Sequence, residues 1–469
     1  MKLNKKREAV HTHEGGIAKH INAALALRRA VMCCMLWEDT FYEDGVEIAK
    51  RIADLVPQVD PDTVAAMAIE AREDMKLRHV PLYLVRLMAA LPNYKPLVAS
   101  TLARVIQRPD ELAEFVALYW KDGKQPLSAQ VKKGLAEAFT KFDAYQLSKW
   151  NKDTEIKLRD VLFLCHAKPK DKAQDALWKQ LIDGTLEPPD TWEVGLSTAK
   201  EKGLEKAAVW TRLLEENKMG ALALLRNLRN FKEHGVEDKL VKRALEACNP
   251  RMVLPFRFIT AARHAPHVES ELEQLMLKCL STFEKIPGHT ALLVDVSGSM
   301  DERIGIRDCD RHRYRRVSPP VRLDMACGLA ILLRELCEKI DIFTFSLDFV
   351  QIPSRHGFSL RDAIVHSQDH NATYLGLAVK SIYESGTHRI KGRFHGHITF
   401  KGVGLDPDRL IVLTDEQSHD PVPDPQSKGF MCNVAPYKYG VGYGPWVNIS
   451  GWSESIVRWI TGYENEFMK

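Results

Sequence analysis

Residues 290 to 300 read Thr-Ala-Leu-Leu-Val-Asp-Val-Ser-Gly-Ser-Met, an apolar run that ends abruptly in Asp295, Ser297 and Ser299. One carboxylate and two hydroxyls within five residues make a hard-oxygen donor set, suited to a hydrated Mg²⁺ or a similar divalent cation. A softer metal would require Cys or His. Two further oxygens are expected from distant segments: Asp415, which closes the apolar run Leu410 to Thr414, and Thr373, in the loop before an apolar helix starting near Leu375. The elements that must position them are parallel strands buried on both faces, because ligands of open α/β sheets gather at the carboxyl ends of such strands.

Other chemistries fit less well. A strand ending in Asp-x-Ser is compatible with a plain helix N-cap and turn. A phosphatase-type Asp nucleophile would want a second Asp two residues on, where Ser297 stands. Two-metal nucleases cluster several carboxylates, and only Asp295 and Asp415 are available here. The Gly-x-Ser-x-Gly elbow is missing around Ser297 and Ser299, and no Gly-Lys-Ser/Thr phosphate loop occurs.

The set Asp295, Ser297, Ser299, Thr373 and Asp415 resembles the metal-ion-dependent adhesion site of von Willebrand factor type A domains. That resemblance implies a divalent cation, Mg²⁺ by its donors, with an open position for a partner's carboxylate. Asn371-Ala372 stands where a Gly-Gly pair is frequent in that family, which would reposition the loop bearing Thr373.

Around these residues, helix and strand signals alternate. Val321 to Lys339 reads as a helix, Asp341 to Ser346 as a strand, Leu360 to His366 and Leu375 to Tyr383 as helices, and Arg409 to Thr414 and Phe430 to Ala435 as strands. This is the doubly wound α/β pattern. Between Met300 and Val321 lies an insertion with Arg303, Arg307, Arg311, Arg313, Arg315 and Arg316, expected as a mobile solvated loop, the alternative being an overhang of the metal site that touches RNA or a partner.

Residues 17 to about 284 differ in kind. Apolar residues three and four apart predict helices over Ile17 to Trp37, Val46 to Leu55, Pro61 to Met75, Pro81 to Ala90, Leu97 to Ile106 and Glu111 to Tyr119. The pattern continues over Ala129 to Phe142, Lys157 to Cys165, Lys172 to Ile182, Leu204 to Glu216, Ala221 to Phe231, Val236 to Cys248 and Glu269 to Phe283. Prolines fall at the joints or in first turns, and the pitch suggests an all-α solenoid of HEAT-like repeats.

Totals exclude some classes. Residues 1 to 287 carry 45 Lys+Arg against 40 Asp+Glu and residues 288 to 469 carry 21 against 22, so any polyanion site is local and belongs to the first region. Nine scattered cysteines without Cys-x-x-Cys suit reduced thiols and a cytoplasmic protein. The most apolar window, Ala23 to Leu36, is interrupted by Arg28-Arg29 and reads against a membrane span. The basic start, Lys2 to Arg7, is not followed by a clean apolar core and cleavage site, so secretion is not expected.

Two basic stretches are candidates for a local site. Between Lys149 and Lys172 seven cations face four acids, with Trp150 and His166 among them; from Lys218 to Arg243 seven face three, with Arg226, Arg229 and Lys232 at every third position. Cations at such spacing match a phosphate backbone, and rings among them can stack on bases. A solvated charged face accounts for the same pattern. The segments Leu164 to Pro169, Ala223 to Leu228 and Leu254 to Ile259 resemble the signature segments of the TROVE module of Ro autoantigen proteins and their bacterial orthologues, and Asn448 to Trp459 is similar to that family's final strand, Gly turn and helix.

The resemblance implies two domains, 1 to 287 as a helical-repeat TROVE ring and 288 to 469 as a von Willebrand type A domain. It implies a non-catalytic, monomeric RNA-binding protein that takes single-stranded 3′ ends of misfolded noncoding RNA into the ring's hole and a small Y RNA on its outside, in RNA quality control, with polynucleotide phosphorylase as a partner in bacteria. His166 matches a family histidine needed for RNA, and Lys149 a basic family position; the next such position is Asp153, with Lys152 adjacent. Lys168, Arg226 and Arg229 join the set on charge, Arg226 also fitting a structural ion pair. A rival reading makes the chain a Mg²⁺-dependent protein-adhesion scaffold.

Overall fold

Helix starts in the first half are written in local chemistry. Asp60 accepts the backbone N–H groups of Asp62 and Thr63 ahead of Pro61, and Asp143, Asp171 and Thr191 each accept the N–H three residues on. Each of these side chains satisfies donors that the first helical turn leaves unpaired. The computed structural model describes residues 9–34, 44–199, 203–251, 253–280, 284–302, 320–392, 395–442 and 444–467. The arginine-rich insertion, Arg303 to Arg316, lies outside them.

The helices are α1 Ala23–Met32, α2 Gly45–Leu55, α3 Pro61–Glu73, α4 His79–Ala90, α5 Lys95–Val105, α6 Pro109–Tyr119, α7 Ala129–Phe139, α8 Ala144–Trp150, α9 Leu158–Cys165 and α10 Lys172–Asp183. They continue as α11 Trp192–Thr198, α12 Lys206–Glu215, α13 Ala221–Glu233, α14 Asp238–Ala247, α15 Phe256–His264 and α16 Glu269–Leu277. The strands β1 Ile286–Asp295, β2 Cys337–Phe345, β3 Phe349–Gln351, β4 Ser385–Gly392, β5 Gly396–Val403, β6 Arg409–Thr414, β7 Lys428–Asn433 and β8 Val447–Ser450 alternate with α17 Arg322–Leu336, α18 Gly357–Val365, α19 Leu375–Tyr383 and α20 Ser455–Phe467. An all-α region thus precedes an α/β domain, as the periodicities predict.

Two compact units emerge from the contacts, residues 52–249 and residues 1–51 together with 250–469. Within the first, helices pack on close neighbours in sequence: α3, α4 and α5 on one another, α5 on α7, α7 on α9, and α12 and α13 on α14. Nearest-neighbour packing of this kind is the signature of repeat arrays. Its core holds Phe115, Phe139, Trp210 and Phe231, and the buried Arg72 is satisfied by Glu111 at 2.6 Å and the carbonyls of Val105 and Leu77.

The second unit is built on a six-stranded sheet in the order β3-β2-β1-β6-β7-β8. Every pairing is parallel except β2 with β3. The direction of build-out reverses around β1, whose neighbours β2 and β6 are distant in sequence, so its carboxyl end is the switch point where such sheets bind ligands. This is the doubly wound architecture of a von Willebrand type A domain.

The compact units are not divided at residue 287. Helix α15 lays Phe256 and Phe258 on α17, Arg263 pairs with the buried Asp324 at 2.9 Å, and Glu273 accepts the N–H of Phe358 at 2.7 Å. These helices complete the cover of the sheet. The beginning of the chain joins them: Thr12 Oγ1 donates to the Ser418 carbonyl at 2.8 Å, and Arg29 of α1 is paired with Glu416 at 2.7 Å, both ends buried. Gly16 is needed for that approach, since a Cβ there would stand 2.2 Å from the Ser418 carbonyl oxygen.

Three local readings are corrected. The helix expected to reach Lys339 ends at Leu336, and the β2 strand starts immediately at Cys337. The helix expected over Ile17 to Trp37 spans only Ala23–Met32, opened by Asn22 accepting the N–H of Leu25; Trp37 lies outside the described residues. The β4–β5 hairpin was not anticipated; alternation of Ile398, Phe400 and Gly402 with polar residues was its available signal.

Candidate metal centre and nucleic-acid interface

Asp295 is the last residue of β1 and Asp415 the first after β6, and since these strands are parallel neighbours the two carboxylates emerge side by side. Both are fully buried, as are Ser297 and Thr373, with Ser299 nearly so. Asp295 Oδ1 accepts the N–H of Ser297 at 2.9 Å and its Oδ2 accepts the hydroxyl of Thr414 at 2.6 Å. The hydroxyls of Ser297 and Ser299 lie 3.3 Å apart. Ser297 precedes a short 3₁₀ turn, Gly298–Asp301, without capping it, so its hydroxyl is not consumed by the bland N-cap role.

Thr373 arrives from the other side of the sheet. Asn371 offers its carbonyl to the N–H of Gly298 at 2.8 Å, and Ser346, beyond β2, donates to the Ala372 carbonyl at 2.9 Å. The Asn371-Ala372 pair therefore keeps its loop bonded to the Asp-x-Ser-x-Ser turn. Thr373's carbonyl accepts the N–H of His419 at 2.8 Å, while Asp420 accepts the first N–H groups of α19, from Gly376 and Leu377. All five expected oxygen-bearing residues thus belong to one bonded loop cluster at the carboxyl edge of β1 and β6.

The electrostatics are those of two buried carboxylates side by side. Burial, then the charge of Asp415, pushes the Asp295 carboxyl up to about 7, against the pull of Ser297 and Thr414. Burial raises Asp415 as well, opposed by Ser299 and by the Gln417 N–H. Asp415 Oδ1 takes that N–H at 3.0 Å, but Oδ2 is buried with no hydrogen-bond partner among the described residues. A buried carboxylate oxygen in that condition costs free energy that a cation would relieve. The donor set of two carboxylates and three hydroxyls fits a hard divalent ion; among the described residues no group of three or more His, Cys, Asp or Glu is placed to hold a metal.

Sequence reading missed the second layer. Glu416 has a left-handed backbone (φ 63°), and its buried carboxylate binds Arg29 and the N–H of Gly442. His419 stacks on Tyr374 with ring centres 5.3 Å apart and meets Glu14 at 2.9 Å. Burial alone would lower the His419 pKa, but its hydrogen bond to Glu14 carries it above the ordinary value. Because these partners lie roughly 400 residues apart, no local pattern announces them.

In the helical unit, Lys149 closes α8 and Lys152 follows it; their ammonium groups stand 5.7 and 5.0 Å from the centre of the Trp150 ring. Asp153 is tied to Lys157 at 2.7 Å on the surface. His166 caps α9 in a left-handed conformation (φ 53°) and is exposed, as is Lys168 two residues on. Helices α8 and α9 both pack on α6 and α10, which makes Lys149, Lys152, His166 and Lys168 members of one helix group. Arg226 and Arg229 are exposed on α13, which packs on α14 instead; Arg229 pairs with Glu233 at 3.3 Å, whereas Asn227 is buried and bonded to the Ala223 carbonyl.

The TROVE domain family model matches residues 27–185 and 184–313, more than half of the chain. The chain belongs to the TROVE domain family. It shares its fold with the crystal structure of the Deinococcus radiodurans Ro (RSR) protein, at a TM-score of 0.55 and 17% identity, over 94% of this chain and 99% of that one. It is also similar to telomerase protein component 1 of Mus musculus, 20% identical over 377 residues, covering 60% of this chain and 14% of that protein. The chain therefore spans only a small part of that curated relative.

Proposed function

We propose that this TROVE protein binds RNA through its helical unit and holds a divalent cation, Mg²⁺ by preference, in its α/β domain, without catalysing a reaction of its own. The observation that carries the first half is the cluster of cations around a half-buried indole: Lys149 and Lys152 flank Trp150, with exposed His166 and Lys168 on the same helix group. Ammonium groups release counterions from phosphates, while indole and imidazole rings stack on bases of any sequence. Arg226 and Arg229 would extend the contact along a second helix. The names of the relatives, an Ro protein and a telomerase component, favour an RNA ligand.

The finer reading follows the family resemblance. The RNA would be single-stranded 3′ ends of misfolded noncoding RNA, with a Y-like small RNA as a second ligand. The setting would be cytoplasmic RNA quality control, and polynucleotide phosphorylase a partner of a monomeric protein. Asp295, Ser297, Ser299, Thr373 and Asp415 would hold the cation, whose positive charge would neutralise the two buried carboxylates and leave a position for a partner's acidic group.

Filter binding of a labelled RNA with a single-stranded 3′ tail, at rising salt, tests the reading. Affinity should fall steeply with salt and drop with Lys149→Ala or His166→Ala in a protein that stays folded. A flat salt dependence rules it out. Chelation separates it from the adhesion reading: a purely adhesive scaffold loses protein partners with its metal and has no RNA affinity to begin with.

A further inference from the structure

Beside Trp150, between α6 and the chain that follows α8, lies a cavity of about 410 Å³. Ala113, Ala117 and Ile156 give it an apolar lining, the indole of Trp150 forms a wall, and Asp110, Glu114 and Glu155 contribute its acidic side. A concave, largely apolar space with a few oriented polar groups is the ordinary form of a small-ligand site.

The surroundings restrict the ligand. Arg108 stacks its guanidinium 3.7 Å from the centre of the Trp150 ring yet does not line the cavity, so the indole surface that Arg108 leaves uncovered faces the space. Lys152 lines it, and Lys149 stands against the same ring; neither ammonium is ion-paired among the described residues. Arg108 and Arg78 hold both oxygens of Asp110, and Arg78 holds Glu114 Oε1, so the acceptor on that edge is Glu114 Oε2, buried with no hydrogen-bond partner among the described residues. The carboxylate of Glu155 disfavours a phosphate inside the cavity, and the lysines attract one beside it. A flat ring that stacks on indole and offers hydrogen-bond donors is welcome inside.

From this juxtaposition we propose that the cavity takes one unpaired RNA base carrying an exocyclic amino group, adenine, cytosine or guanine, with the adjoining phosphate held by Lys149 and Lys152. Uracil is disfavoured because the two carbonyl oxygens flanking its single N–H would face Asp110 and Glu114. The proposal rests on the RNA-binding reading and adds base selection to a contact that charge alone would leave indifferent to sequence.

The test uses the full chain and fluorescently labelled oligouridine tails, unmodified or carrying a single adenosine, cytidine or abasic position. Tails with one adenosine or cytidine should bind about tenfold more tightly than plain oligouridine or the abasic tail, the size expected for one stacked base. Trp150→Ala and, independently, Ala117→Trp, which fills the cavity from an exposed helix position, should erase that difference. Ala117→Trp, which leaves the indole and the lysines in place, should keep the oligouridine affinity within about twofold, since the phosphate contacts persist. Equal binding of all tails by the wild-type protein, or a preference that survives both variants, overturns the base site while leaving RNA binding intact. Absence of binding to every tail overturns the RNA reading and the base site with it.

Discussion

The hydroxyl of Thr414 donates to Asp295 Oδ2 at 2.6 Å, linking the last residue of β6 to the last residue of β1 across two adjacent parallel strands. The bond occupies one oxygen of a carboxylate already pushed up to about 7, and leaves the neighbouring Asp415 Oδ2 as the unpaired acceptor. Thr414→Val keeps the shape and removes the donor. It should destabilise the metal-free protein by about 1–2 kcal/mol, measured by urea denaturation, because the carboxylate oxygen is then left buried without a partner.

The same pair sets a pH dependence. Asp295 titrates near 4 when unfolded and at about 7 when folded, so it contributes stability below about pH 4 that is lost as the pH rises through 7. Added Mg²⁺ should therefore raise Tm more at pH 8 than at pH 5.5, where protons compete for the same oxygens. Asp415→Asn should raise the Tm of metal-free protein at pH 8 by about 3 °C and abolish the Mg²⁺ response. Scanning calorimetry with and without chelator reads both effects.

Arg29 and Glu416 form a buried ion pair between α1 and the loop after β6. Removing one partner strands the other charge, so Arg29→Met and Glu416→Gln should each cost about 3–5 kcal/mol, while the double variant should cost much less than their sum. Denaturation midpoints of the four proteins complete the cycle.

Glu14 raises the pKa of His419, so the contact stabilises the fold below the ordinary histidine value near 6.5 and loses that contribution as the pH climbs through the raised one. Glu14→Gln should accordingly destabilise the protein at pH 6 more than at pH 9. Limited proteolysis within residues 9 to 18 should report the loosening directly.

Lys149→Ala and Lys152→Ala should each reduce the slope of log affinity against log salt by about 0.7, the value for one phosphate contact on a single strand, with no change in unfolding midpoint. Lys152 is exposed and Lys149 half-buried, and neither ammonium is ion-paired among the described residues, which makes binding separable from stability.

What the sequence discloses and what it withholds divide along lines of range. Apolar periodicity marks nearly all helices, and the abrupt passage from Val294 to Asp295, or from Thr414 to Asp415, marks strand ends, because those signals are local. The five oxygen-bearing residues that gather at the carboxyl edge of β1 and β6 are legible for the same reason. The contacts of Thr12 with Ser418, Arg29 with Glu416 and Glu14 with His419 are not, since each pairs residues that no periodicity connects. The β4–β5 hairpin is half exposed, so its alternation is diluted by His388, Arg389 and Lys391. The indole of Trp150 is visible in the sequence as one aromatic among lysines, but the cavity beside it exists only once α6 has packed near it.

Thr12 and Ser418 stand 406 positions apart. At translation rates of 5–20 residues per second, Thr12 waits roughly 20–80 s before Ser418 has been synthesised. Residues 52–249 are complete long before then and can fold while that leading segment is still unengaged. Docking of the segment that carries Thr12 therefore waits for the segment that carries Ser418, and a chain interrupted before residue 418 leaves Thr12 without the carbonyl that pairs it.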